Sequence, residues 1–207
     1  MRPVFLLLLI GLIPTAVPPS FDEPPSIDRI EEDWELIIKS TDVPAAGPQI
    51  TTTMCPGPQE DHPDVNFNLN YRAYPDFVPG GLEIQACDGQ DVLATTTSRS
   101  GVLQTENETI TWTQRITLSG GSVEYQVRSG QSTTWGSFGG EELSVSFTSG
   151  LSDLSGYDSE VSLNKSGVGW QSDHVASMRL MAVRSYSGDM LISTNNTPRT
   201  IHPTELP

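Results

Sequence analysis

Residues Glu108 to Thr148, ETITWTQRITLSGGSVEYQVRSGQSTTWGSFGGEELSVSFT, decide the fold. In the first run Ile110, Trp112, Ile116 and Leu118 share one parity, and Thr109, Thr111, Thr113, Arg115 and Thr117 take the other. Val123, Tyr125 and Val127 then alternate with Glu124, Gln126 and Arg128, and Leu143, Val145 and Phe147 alternate with Ser144 and Ser146. Successive strand side chains point to opposite faces, so period-two alternation marks strands with one buried and one wet face. Gly120-Gly121, Ser129-Gly130 and Gly139-Gly140 supply the positive-φ positions that tight hairpins need. The stretch is expected to form an antiparallel meander of four strands.

The same pattern extends outward. DWELIIK places Trp34, Leu36 and Ile38 on one parity, and the Thr-rich run Gln49 to Cys55 follows as a second strand. In VNFNLNYR, Val65, Phe67, Leu69 and Tyr71 are expected to face in, with Asn66, Asn68, Asn70 and Arg72 facing out. LEIQAC, the turn Asp88 to Asp91 and VLATTT continue the series. Val161 to Leu163 reads as a short strand and SGVGWQSDH as a glycine-marked loop. In Val175 to Ser187 both parities are apolar, which predicts a central strand covered on both sides. No internal repeat and no helix is evident. About a dozen short strands without helical spacing between them predict an all-β chain, a two-sheet antiparallel β-sandwich of jelly-roll type.

Composition sets the surroundings. The chain has 207 residues, 36% of them hydrophobic, and a net charge of -15 with only Lys39 and Lys165 as lysines. Such a surface repels phosphate backbones and anionic lipid, so no nucleic-acid partner is expected. Residues 1–20 hold one arginine and an apolar core, Val4 to Ile13, too short to span a bilayer. They read as a signal peptide, cleaved near Ala16 or nearer Ser20, of a secreted, periplasmic or otherwise extracytoplasmic protein that does not span the membrane. Residues 21–32, Pro-rich and acidic, read as a linker, 33–193 as the β-sandwich domain and 194–207 as a disordered tail. In an oxidising compartment Cys55 and Cys87 are expected to form a disulfide, which closes a loop of roughly 30 residues and stabilises by about 3 kcal/mol. Two buried thiols are the alternative.

The strand DWELIIK, the central segment with TTWGSFG, and SGVGW before VASMRLMAVRSY resemble the concanavalin A-like (lectin/glucanase, laminin-G-like) jelly roll of exported bacterial proteins. The resemblance implies a sandwich over residues 33–193 whose first and last long strands lie in one sheet. It also implies a lectin-like, carbohydrate-binding role, with the ligand on a sheet face or adjoining loops.

Catalytic signatures are sparse. His62, His174 and His202 have no second ligand at metal spacing, and no GxSxG, HExxH or P-loop occurs. Glycoside hydrolysis needs two carboxylates across a cleft. Glu31, Glu32, Asp33 and Glu35 fall at the linker edge and Glu141-Glu142 in a turn, so no strand is expected to carry outward carboxylates two residues apart. A non-enzymatic protein is expected, with a hydrolase as the third reading. No cofactor is called for beyond a structural calcium ion, for which Asp88, Asp91, Asp153 and Asp158, with Glu160, are the oxygen donors in loops. If the strands Val65–Arg72 and Thr109–Thr117 share a sheet, Asn66, Asn68, Asn70 and Arg72 approach Thr111, Thr113 and Arg115, extended by Gln126 and Arg128. Those amides, hydroxyls and guanidinium groups suit sugar hydroxyls, and make a glycan or a cell-surface protein the expected partner. A structural envelope protein with no small-ligand site is the alternative. Trp112 and Tyr125 belong to the inner parity, while Trp135 and Trp170 stand beside glycines.

Overall fold

A computed structural model describes residues 24–39, 48–57, 63–71, 81–98, 102–103, 106–170 and 172–203. Thirteen strands lie among them: β1 (Arg29–Ile38), β2 (Gln49–Met54), β3 (Asp64–Tyr71), β4 (Gly81–Asp88), β5 (Asp91–Ser98), β6 (Glu108–Ser119), β7 (Ser122–Ser132), β8 (Gly136–Phe138), β9 (Ser144–Thr148), β10 (Gly167–Trp170), β11 (Val175–Ser187), β12 (Met190–Asn195) and β13 (Arg199–His202). A short helix, α1 (Ser159–Asn164), begins at Asp158, whose side chain accepts a hydrogen bond from the Glu160 amide. Among the described residues no helix is long and apolar enough to cross a membrane.

The strands form two antiparallel sheets, as the alternation predicts. The larger runs β12-β11-β1-β6-β7-β8, with β13 beside β12 on β11 and β9 beside β8 on β7; the smaller runs β10-β2-β3-β4-β5. The long strands β1 and β11 pair along the whole length of β1. The inner faces meet over an aromatic column. Trp34 and Trp112, directly opposed across β1 and β6, stack at 6.2 Å between centroids and 7° between planes. Phe67 of the smaller sheet meets Trp112 edge-on at 5.8 Å and stacks on Phe138 at 6.3 Å. Such pairs add about 0.5–1.5 kcal/mol each beyond the area they bury.

Several sequence expectations are corrected. The chain enters the sandwich before residue 33: Ile27 and Ile30 are buried and β1 starts at Arg29, within the expected linker. The expected tail supplies β13, which pairs with Met178 to Leu180 of β11. Val161 to Leu163 is helical rather than extended, and SGVGW contains strand β10. The central segment is not a simple meander, because β8 and β9 lie end to end on the outer edge of β7. The mixed parity of β11 has a different cause from the one expected. An extra residue, Met181, sits between Leu180 opposite Trp34 and Ala182 opposite Asp33. That bulge switches the inward set from Met178 and Leu180 to Val183, so apolar residues occupy both parities while one sheet face stays open.

The expected disulfide is absent; both cysteines are free thiols. Cys87 is opposite Asp64 of β3, and Cys55 is one residue past the Met54–Val65 pair on the other side of β3. One strand therefore separates them. Two inter-strand spacings of about 4.8 Å put their Cα atoms roughly 10 Å apart, beyond the ~7 Å a disulfide spans. Burial pushes the Cys55 thiol up to about 11 and also raises Cys87.

Candidate functional site

The outer face of the larger sheet is shaped by two bulges at one level. β1 and β6 pair without interruption, with Asp33 opposite Thr113. On one flank β11 bulges at Met181; on the other, β7 has Ser129 and Gly130 where β6 has only Trp112. Ser129 takes a left-handed φ of 51° to accommodate the extra residue. Bulges bend a strand and increase its twist, and here both bend the sheet around the Asp33–Thr113 pair. A hollow of about 350 Å³ lies there, rimmed by Ser129 and Met181 and lined by Asp33, Glu35, Thr111 and Thr113 over the edges of Trp34 and Trp112. Thr113 and Ser129 also border an adjoining hollow of about 240 Å³, closed by Glu31, Arg115, Arg128 and Arg184.

Of the six arginines among the described residues, five (Arg29, Arg115, Arg128, Arg179 and Arg184) lie on this face, while Arg199 of β13, in the same sheet, turns to Ser159 and Glu160 of α1. Arg184 grips Asp33 with two bonds, 2.5 and 2.7 Å, and reaches Glu31 at 3.4 Å. Arg115 Nε donates to the same Glu31 at 2.8 Å, Tyr186 donates to it at 3.2 Å, and Thr113 donates to Asp33 at 2.8 Å. Arg179 pairs with Glu35, and Arg29 lies 4.1 Å over the Tyr186 ring. Burial pushes the Glu31 carboxyl up, but the Arg115 hydrogen bond and charge, with Tyr186 and Arg184, outweigh it and hold the group below its ordinary value. Asp33 is likewise lowered, burial being overcome by Arg184 and Thr113. β1 thus does carry outward carboxylates two residues apart, contrary to expectation: Asp33 and Glu35 already stand on the outer parity of DWELIIK, and the earlier start of the strand adds Glu31. The lowering of Glu31 and Asp33 by arginine is the reverse of the raised carboxyl that donates a proton in glycoside hydrolysis.

Only half of the expected polar face is brought together. Thr111, Thr113, Arg115, Gln126 and Arg128 share the outer face of β6 and β7. Asn66, Asn68 and Asn70 are on β3 in the other sheet, on the opposite side of the sandwich. Their amides serve that sheet. Asn68 accepts from Thr51 at 2.7 Å and donates to Glu83 at 3.1 Å, Asn66 accepts from Thr53 at 2.7 Å, and the left-handed Asn70 donates to the Pro48 carbonyl at 2.8 Å. Arg72 lies outside the described residues, as do His62 and the expected signal peptide. The calcium donors are dispersed. Asp88 and Asp91 pair across the β4–β5 turn, Asp153 holds the Ser155 amide at 2.8 Å, and Asp158 caps α1. Among the described residues no three His, Cys, Asp or Glu groups are placed to hold a metal. His174 is buried at the entry to β11 and His202 lies in β13. Trp112 and Tyr125 are core as expected, and Trp135 packs on Phe138 at 4.7 Å.

Sequence reasoning missed a polar network inside the sandwich. Glu32, fully buried, accepts from Trp34 Nε1 at 3.1 Å and from the Tyr157 hydroxyl at 2.5 Å. Ser162 of α1 links Tyr157 to the Cys55 amide. Gln114 accepts from Thr52 at 3.1 Å, which ties the two sheets together, and from Tyr125 on the neighbouring strand β7. Burial raises Glu32 to about 7 against the hydrogen bonds of Tyr157 and Trp34. Tyr157 also lines a cleft of about 400 Å³ beside Ile27, Ile30, Leu154 and Val183. The readable signal was the gap in the inner parity of β6, where Gln114 stands between Trp112 and Ile116.

No protein-family model and no curated protein matches this chain.

Proposed function

We propose that the protein is a non-catalytic binding module of an exported protein, of concanavalin A-like jelly-roll kind, that holds a glycan or another extracytoplasmic surface partner on the outer face of its larger sheet. The double-bulged hollow around Asp33 and Thr113 carries this reading. Its hydroxyls and carboxylates, with the guanidinium groups of the adjoining hollow, are fixed on paired strands whose inner side is the Trp34–Trp112 stack. Rigid first-contact groups lower the ordering cost of binding, the usual reason affinity exceeds what area alone gives. The absence of an exposed aromatic platform among the residues lining this hollow makes hydrogen bonding, rather than ring stacking, the mode of recognition.

The test is a broad glycan array probed with the protein and with a Thr111→Val/Gln126→Ala variant. Retention by the parent, lost in the folded variant, supports the face as the site. Retention by both moves the site to the cleft beside Tyr157 or to the loops. No retention by a folded parent sinks the glycan reading in favour of an envelope protein whose partners are proteins.

A further inference from the structure

Arg128 has no ion pair or hydrogen-bond partner among the described residues, unlike its neighbours on the face. Arg115 has Glu31, Arg184 has Asp33 and Glu31, Arg179 has Glu35, and Arg29 has the Tyr186 ring, Glu31 at 4.0 Å and a rim contact to the exposed Asp189 at 3.9 Å. In and beside the smaller hollow, three guanidinium groups (Arg115, Arg128 and Arg184) therefore face two carboxylates (Glu31 and Asp33), leaving one positive charge over. This surplus occurs in a chain of net charge -15, where a chance local excess of cations is least expected. The Arg184–Asp33 fork shows how the cluster takes a planar two-oxygen group, by two parallel bonds. Arg128 presents the same fork, unoccupied by any described residue, at the rim of a hollow that also offers the Ser129 hydroxyl.

We infer that the ligand of this face is an acidic saccharide, one of whose carboxylates, of the uronic acid kind, docks on Arg128 in the smaller hollow. The inference rests on the binding function proposed above and adds the ligand's charge. One surplus cation matches one carboxylate. A densely charged polyanion is repelled wherever its further charges come within a Debye length, roughly 8–10 Å, of the other carboxylates of this acidic chain. A charge-assisted bond of this kind changes affinity by about tenfold or more.

Titration calorimetry at physiological ionic strength decides it, with short oligogalacturonates, oligoalginates and glucuronate-containing oligosaccharides, each paired with its methyl ester and with a neutral or monosulfated counterpart. Binding of an acid that weakens about tenfold or more in the ester and in Arg128→Gln, but not in Gln131→Ala, is the expected result. Arg128 is unpaired and partly exposed, so its variant keeps the fold, and a melting curve confirms this. Acid and ester binding alike, or Arg128→Gln binding as the parent does, overturns the carboxylate while leaving a glycan-binding face. Binding of the monosulfated sugar alone overturns it too, in favour of a sulfate ester. No saccharide bound by the folded parent overturns both readings together.

Discussion

Gly130 shows how far a single position can constrain this fold. A Cβ there would lie 2.5 Å from two ring carbons of Phe138, with β8 behind them. Phe138 is itself held between Phe67 and Trp135, so it has no room to retreat. Gly130→Ala is expected to destabilise by about 1–3 kcal/mol, the usual cost of overpacking, measured by denaturant unfolding. Gly167→Ala, where an added Cβ meets nothing within 4 Å, is the control and should unfold near the parent's midpoint. If the two variants unfold alike, the close packing of β7 against β8 is wrong. The residue pattern around Gly130 was legible as a turn, since Ser129-Gly130 looks like a hairpin pair. It is a bulge instead, because strand β7 runs on to Ser132 before turning.

At the scale of elements, alternation revealed which side of each strand faces in, but not which sheet each strand joins. Val65, Phe67 and Leu69 are all buried as predicted, and so are Ile110, Trp112 and Ile116. Parity is a local property of the chain, whereas sheet membership depends on crossovers that no short window contains. For that reason Asn68 and Arg115, both on the parity away from the core, ended on opposite sides of the molecule, with Asn68 buried among its hydrogen-bond partners. β1 was cut short for a related reason: Arg29 to Glu32 looks like a solvated acidic linker until Arg115 and Arg184 are brought beside Glu31 from distant strands. The cysteine pairing failed on the same point, because β3 passes between the two strands that carry them. Thiol titration of the unfolded, unreduced protein is expected to find two free thiols. In the folded protein the partly exposed Cys87 should react well before the buried Cys55. Finding no free thiol would require β3 to leave its place between β2 and β4.

For the molecule as a whole, acid stability follows from two opposed sets of carboxylates. Glu32 has its folded value raised to about 7 from 4.5, so its contribution is complete below pH 4.5 and is lost as pH rises through 7. The loss amounts to about 3 kcal/mol, because each pH interval of one between the unfolded and folded values is worth ~1.4 kcal/mol. Glu31 and Asp33 are lowered, so theirs is present above their ordinary values of 4.5 and 3.8 and is lost as pH falls below them. The melting temperature should therefore be highest in mildly acidic solution and fall between about pH 4.5 and 7. Glu32→Gln should flatten that fall while leaving the acid limb in place, because its amide can donate to Tyr157, which then donates to Ser162. A parent profile that is flat across this interval would show that Glu32 is not confined in the core.

The Trp34–Trp112 stack also gives the molecule an internal chromophore pair. Two indoles nearly parallel at 6.2 Å couple electronically, and their joint circular dichroism signal exists only while β1 and β6 hold them face to face. Because Glu32 accepts from the Trp34 ring nitrogen, ionisation of that buried acid perturbs the same chromophore. The protein thus reports optically, without any attached label, both the integrity of its larger sheet and the protonation of its core.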